Sequence, residues 1–169
     1  MIHSNRDIDV QKSSEGSSGW SFSRTAGSTE GASDFLSRCD DAGKNFFTRL
    51  FESQKAASTY TKITWQHESG FSLQFYFNRI GFAPLVWGFP AKNRDGKSIR
   101  QRLDFPFDFS LRAGVSEAFI NEFGASLSSV APFSGGGKRP SIPISALGSD
   151  ESARISETIF SFAAKASKK

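Results

Sequence analysis

Between Phe71 and Asn78 the chain alternates without a break: Phe71, Leu73, Phe75 and Phe77 are apolar, and Ser72, Gln74, Tyr76 and Asn78 stand between them. A period of two sets the three phenylalanines and Leu73 on one face, and a half-buried β-strand is the structure that does this. The run before it, Tyr60 to Trp65, is rich in β-branched and aromatic residues, and His67-Glu-Ser-Gly70 supplies turn chemistry. Together they predict a hairpin. A third run, Ala83 to Phe89, carries Leu85, Val86 and Trp87, and Pro84 and Pro90 assign it to a sheet edge or a short strand. A fourth strand is expected between Ser98 and Phe105, after the turn Asn93-Arg-Asp-Gly96.

Around these strands the apolar period lengthens to three and four. Ser33 is a good N-cap, followed by Asp34 where the helix dipole favours an anion. Phe35, Cys39, Ala42, Phe46, Leu50 and Phe51 then form one stripe, predicting a single helix to about Lys55. Gly43 inside it costs about 1 kcal/mol against Ala and permits a bend or close packing. Cys39 lies on the stripe, with no evident basic neighbour to lower its pKa, and reads as a small buried hydrophobe. A helix is predicted from Ser116 to about Ala125, then a loop from Pro132 to Pro143. A final helix capped by Ser149 or Asp150 buries Ile155, Ile159, Phe162 and Ala166, and Lys165, Lys168 and Lys169 complement its C-terminal dipole. The expected fold is α+β: an N-terminal helix, a three- to four-stranded antiparallel sheet, and two C-terminal helices packed on one face.

Phenylalanine carries much of the apolar area. There are 18 Phe against eight Leu and one Met in 169 residues, and each ring removes roughly 150–250 Å² from water on burial. The length suits one domain, expected over residues 32–169. Residues 1–31 differ: nine serines fall within the first 33 positions, and Ile2, Ile8, Val10, Trp20 and Phe22 are too scattered to form a face. That span is expected to be a disordered Ser/Gly-rich tail. Ser-rich starts also occur on exported proteins, but Asp7 and Asp9 favour a passive tail, and a cytoplasmic location is expected.

Several chemistries are disfavoured. One cysteine rules out a disulfide framework, and two histidines 64 positions apart argue against a metal cluster, so no metal or cofactor is expected. No stretch approaches the roughly 18 apolar residues of a membrane span. Gly135-Gly-Gly-Lys138 is not a phosphate loop: Pro132 stands where the first glycine belongs, Arg139 replaces the Mg²⁺-binding hydroxyl, and Pro140 stops the helix. The hairpin strand carries no carboxylate for a Mg²⁺ nuclease. His67 and Glu68 form the one candidate acid/base pair, at an exposed turn that gives no reason for a perturbed pKa. These features argue against an enzyme.

The segment with functional content is basic. Lys92, Arg94, Lys97, Arg100 and Arg102 stand against Asp95 alone, a local excess of +4 that equals the net charge of the whole chain. It follows the aromatics Phe82, Trp87 and Phe89, and basic residues beside exposed rings can hold phosphates and stack bases. Arg79, Lys138 and Arg139 join it if the fold brings them near. A solvated hairpin is the plainer alternative. The expected function is a non-enzymatic binding module that contacts nucleic acid or a nucleic-acid-processing partner; a protein–protein module, of adaptor or immunity type, using Trp87 and Phe89 as exposed anchors is the rival reading.

The opening amphipathic helix, the hairpin around Trp65-x4-Gly70-Phe71, and Lys138-Arg-Pro-Ser-Ile-Pro-Ile-Ser-Ala-Leu147 before a last helix form one distinctive combination. Over residues 34–165 the chain resembles a small uncharacterised bacterial α+β domain found alone or beside restriction-endonuclease-like nuclease domains. The resemblance implies a nucleic-acid or defence context and assigns no catalytic residue.

Overall fold

The alternating strand Phe71–Phe77 stands third in a six-stranded antiparallel meander, every strand pairing with the next in sequence. The computed structural model describes residues 22–25, 29–66 and 69–168. In chain order the strands are β1 (Phe22–Thr25), β2 (Thr61–Gln66), β3 (Phe71–Phe77), β4 (Gly81–Phe89), β5 (Arg102–Asp104) and β6 (Ser141–Pro143). The helices are α1 (Thr29–Ser37), α2 (Asp41–Ala56), α3 (Phe107–Arg112), α4 (Glu117–Ser128) and α5 (Ser149–Ser167), with a 3₁₀ turn at Ile144–Ala146. The α+β class and the antiparallel sheet agree with the sequence.

Register divides the sheet into two faces. Trp65 pairs with Phe71 and Ile63 with Leu73, while Phe71, Leu73 and Phe75 oppose Gly88, Val86 and Ala83. Leu103 pairs with Ile142 on the same side. All of these side chains are buried, and the helices pack on them through aromatic rings. Phe35 of α1 and Phe47 of α2 stand 5.2 and 5.7 Å from the Phe71 ring. Phe119 and Phe123 of α4 reach Phe77 and Phe75 at 5.3 and 5.9 Å, and Phe162 of α5 closes on both helix rings. Most of these pairs are edge-to-face, the arrangement the ring quadrupole prefers.

Several features depart from the sequence expectation. The single helix over 33–55 is two, because Asp40 is extended at φ −73° and ψ 178° and caps α2 with its carboxylate. Its Oδ1 accepts from the Gly43 N–H at 2.8 Å and from Gln101 Nε2 at 2.6 Å, and its own N–H donates to Gln101 Oε1 at 3.2 Å. Gly43 is required for this knot, since a Cβ there would fall inside the Gln101 amide. Secondly, β4 is a nine-residue interior strand, not an edge. The register shifts opposite Leu73 and Gln74, just where Pro84 enters, and β5 pairs only with Trp87–Phe89. The proline thus lies beside an irregularity and outside the reach of β5, and Ser110 Oγ of α3 donates to its carbonyl at 2.6 Å.

The third departure is β6, which runs through the segment expected to be all loop, and the fourth is α3, absent from the expectation. Fifth, α5 begins one residue early. Gly148 is its N-cap, and the Gly148 N–H donates to Glu151 Oε2 at 2.9 Å. The fourth strand is shorter than Ser98–Phe105, covering Arg102–Asp104. Of the span 1–31 expected to be disordered, residues 22–25 and 29–31 belong to β1 and α1, and the rest lies outside the described residues.

Replacing Gly43 by Ala should cost about 1–3 kcal/mol, the usual cost of overpacking. In a Gln101→Ala background that cost should fall by roughly half, because the clashing amide is gone. Denaturant unfolding of the four chains measures this coupling. Strictly additive losses would show that the amide does not set the requirement for glycine.

Candidate nucleic-acid interface

The basic segment forms the connection between β4 and β5, and both of its legs are fixed. Within it Asn93 N–H donates to the Lys97 carbonyl at 2.9 Å, Gly96 N–H to the Asn93 carbonyl at 3.1 Å, and Lys97 N–H to Asn93 Oδ1 at 2.8 Å. Gly96 takes φ +76°, a left-handed conformation suited to glycine. Lys92 and Ser98 pair below the turn. At the first leg Lys92 N–H donates to the Arg38 carbonyl at 3.0 Å, and Arg38 Nη1 donates to the carbonyls of Lys92 and Ser69. At the second leg the Gln101 side chain is locked into the α2 cap, and the Gln101 carbonyl accepts from Ile144 N–H at 3.2 Å.

This frame displays four of the five sequence-predicted cations. Lys92, Arg94, Lys97 and Arg100 are exposed. Arg94 Nε lies 4.0 Å from Asp34 Oδ2, an oxygen that also accepts from Arg38 Nη2 at 3.0 Å. Among the described residues, Lys92, Lys97 and Arg100 form no ion pair. Arg102 differs from them. It lies on β5, directed to the sheet face opposite α1, α2, α4 and α5, with Nε donating to Asp104 Oδ1 at 2.8 Å and its guanidinium 4.4 Å from the Phe89 ring centre.

The aromatic anchors require correction. Trp87 is 4% and Phe89 7% exposed, so neither presents a ring for base stacking or for a protein partner. Trp87 stands 5.3 Å from Phe109 and beneath Arg139, and Phe89 lies beneath Arg102. Alternation accounts for this: both residues share a face of a strand that is interior to the sheet, where rings bury.

Of the outlying cations, Arg139 is brought over Trp87, which pairs with Asp104, one same-face position along β5 from Arg102. Arg79 sits in the β3–β4 turn, about 27 Å away along β4 at the usual strand rise. His67 and Glu68 lie outside the described residues. Among those described, no group of three or more His, Cys, Asp or Glu side chains could hold a metal ion, and no helix is long and apolar enough to cross a membrane.

Two residues of this face went unmarked in the sequence. Asp108 of α3 receives Arg139 Nε and Nη2, each at 2.9 Å, and Arg112 Nη2 at 2.7 Å. The Arg139 hydrogen bonds, joined by those of Arg112, outweigh the burial that opposes ionisation and hold the carboxyl at about 2. The same bonds, with the charges of Asp108 and Asp104, raise the Arg139 pKa. The Asp108–Arg112 spacing of four in a helix was a readable signal. Arg139, 31 residues on, gave none. Cys39, by contrast, is buried as expected, and desolvation together with Asp40 pushes its thiol up to about 12.

Two measurements follow. Asp108 ionises at about 2 in the folded chain against an ordinary 3.8, so its stabilisation is complete above about pH 4 and is lost as pH falls toward 2. Asp108→Asn should cost about 1 kcal/mol at pH 7, discounted because the arginine side chains are 67% and 45% exposed, and much less near pH 2. Unfolding curves at both pH values test this, and an equal loss at each would reject it. The native Cys39 thiol should resist maleimide at neutral pH and react on denaturation. Mass spectrometry showing fast native labelling would contradict its placement. Protein-family models, curated proteins and solved structures give no match to this chain.

Proposed function

We propose that this chain is a binding module that contacts the phosphate backbone of nucleic acid through the β4–β5 loop. The observation that carries the reading is the exposure of Lys92, Lys97 and Arg100 on a loop pinned at both legs, with no ion pair among the described residues. A cation already tied to a carboxylate gains little from a phosphate, whereas an unpaired one releases counterions from the nucleic acid when it binds. A fixed loop also loses little conformational entropy on association.

Burial of Trp87 and Phe89 narrows the proposal. Without rings at the surface the loop offers charge and no stacking platform, so contacts to the backbone dominate and base identity matters little. The same burial takes Trp87 and Phe89 out of the protein–protein alternative.

Binding to a short DNA duplex across a salt series tests the proposal. The three unpaired loop cations should give a log–log slope of about −3, and Lys97→Glu/Arg100→Glu should weaken binding and flatten the slope by about two units. Both side chains are exposed, so the double variant should keep the wild-type melting temperature. Absence of binding at low salt, or an unchanged slope in the variant, would overturn the reading.

A further inference from the structure

On the sheet face opposite α1, α2, α4 and α5, where α3 packs on Trp87, three arginines rest on rings. The Arg102 guanidinium lies 4.4 Å from the Phe89 ring centre. Arg112 lies 4.6 Å and Arg139 4.8 Å from that of Phe109, with Arg139 also 5.8 Å from Trp87. Arg112 and Arg139 converge on one carboxylate, Asp108, which is 13% exposed while their side chains are 67% and 45% exposed. Beside them the segment from Ser134 to Ser141 is closed by two backbone hydrogen bonds, Ser134 N–H to the Ser141 carbonyl at 2.7 Å and the reverse at 3.2 Å. Its tip is open, with nothing near the positions where Gly135, Gly136 and Gly137 would carry a Cβ. Lys138 is exposed there and, among the described residues, forms no ion pair. Two guanidiniums thus face one carboxylate, and Lys138 is the chain neighbour of one of them.

The clasp on Asp108 is informative because of its shape. Arg139 holds both carboxylate oxygens with Nε and Nη2, the fork by which a guanidinium also holds two oxygens of a phosphate. Stacking on Phe109 and Trp87 fixes the plane of that fork before any ligand arrives. We propose that Arg112, Lys138 and Arg139 form a phosphate-group site in which Asp108 is the internal occupant that the ligand displaces. A phosphate group brings more charge and a third oxygen, and Lys138 supplies a cation that Asp108 leaves unused. For a phosphodiester ligand the site rests on the β4–β5 loop reading and lengthens that surface past Arg102. For a free polyphosphate it stands alone.

The test follows the Nε–H signals of Arg112 and Arg139 by NMR in the ¹⁵N-labelled full chain, titrated with tripolyphosphate and, separately, with a short DNA duplex. Calorimetry supplies the affinities. Tripolyphosphate should move both signals, and Arg139→Gln should weaken its binding about tenfold. Asp108→Asn should tighten it roughly three- to tenfold beyond Asp41→Asn, a control that removes one exposed charge elsewhere. Arg112→Gln, at a mostly exposed side chain, repeats the test if Arg139→Gln fails to fold. Movement with both probes supports a phosphodiester site continuous with the loop. Movement with tripolyphosphate alone supports a site for free phosphate-class anions. If neither probe moves the signals, or Asp108→Asn binds no tighter than Asp41→Asn, the site is overturned. Duplex binding that Lys97→Glu/Arg100→Glu still weakens would then leave the loop reading intact.

Discussion

One primary amide ties the two halves of the molecule together. The Gln101 side chain gives a hydrogen bond to Asp40 and takes one from it, completing the cap of α2, while its main chain receives Ile144 at the 3₁₀ turn. Gln101 is 5% exposed, so its polar atoms depend on these partners, and leaving them unmet would cost about 1–3 kcal/mol each. The helix layer, the start of β5 and the entry to α5 therefore share a single junction. The basic loop hangs from it, with Arg100 and Arg102 on either side of the glutamine.

The two faces of the sheet solve different problems with the same ring. Towards α1, α2, α4 and α5, phenylalanines pack on phenylalanines and are buried. On the other side Trp87, Phe89 and Phe109 are met by guanidiniums, which are flat, weakly hydrated and able to lie on a ring while keeping their edges for oxygen. Arginine there is both packing and charge. Its carboxylate partners, Asp104 and Asp108, hold the guanidinium edges in fixed directions.

What could be read from the sequence was what depends on neighbours. The alternation of Phe71–Phe77, the stripe on α5, the turn Asn93–Gly96 and the burial of Cys39 all follow from local period or turn chemistry. The break at Asp40 was hidden because Phe35 to Phe51 keeps an unbroken stripe. The break becomes visible only when Gln101, 61 residues on, supplies the second half of the cap. β6 is three residues long and bounded by prolines, too short for any period to register. Pro84 suggested an edge, and nothing local announced the register shift that accommodates it. At the site, the exposed loop cations were legible as a run, whereas the burial of Trp87 and Phe89 depended on the strand's interior position. The Asp108–Arg139 clasp joins segments with no sequence signature in common.

Strand order in this sheet is chain order. Each pairing from β2 to β5 forms between stretches that leave the ribosome one after another, so the sheet can assemble as it emerges, through contacts of short sequence separation. The amide junction is a long-range closure between residues 40 and 101. Until residue 101 is available, α2 has only half its cap and a glycine in its first turn. The helix layer is then committed late, after the surface it must cover already exists.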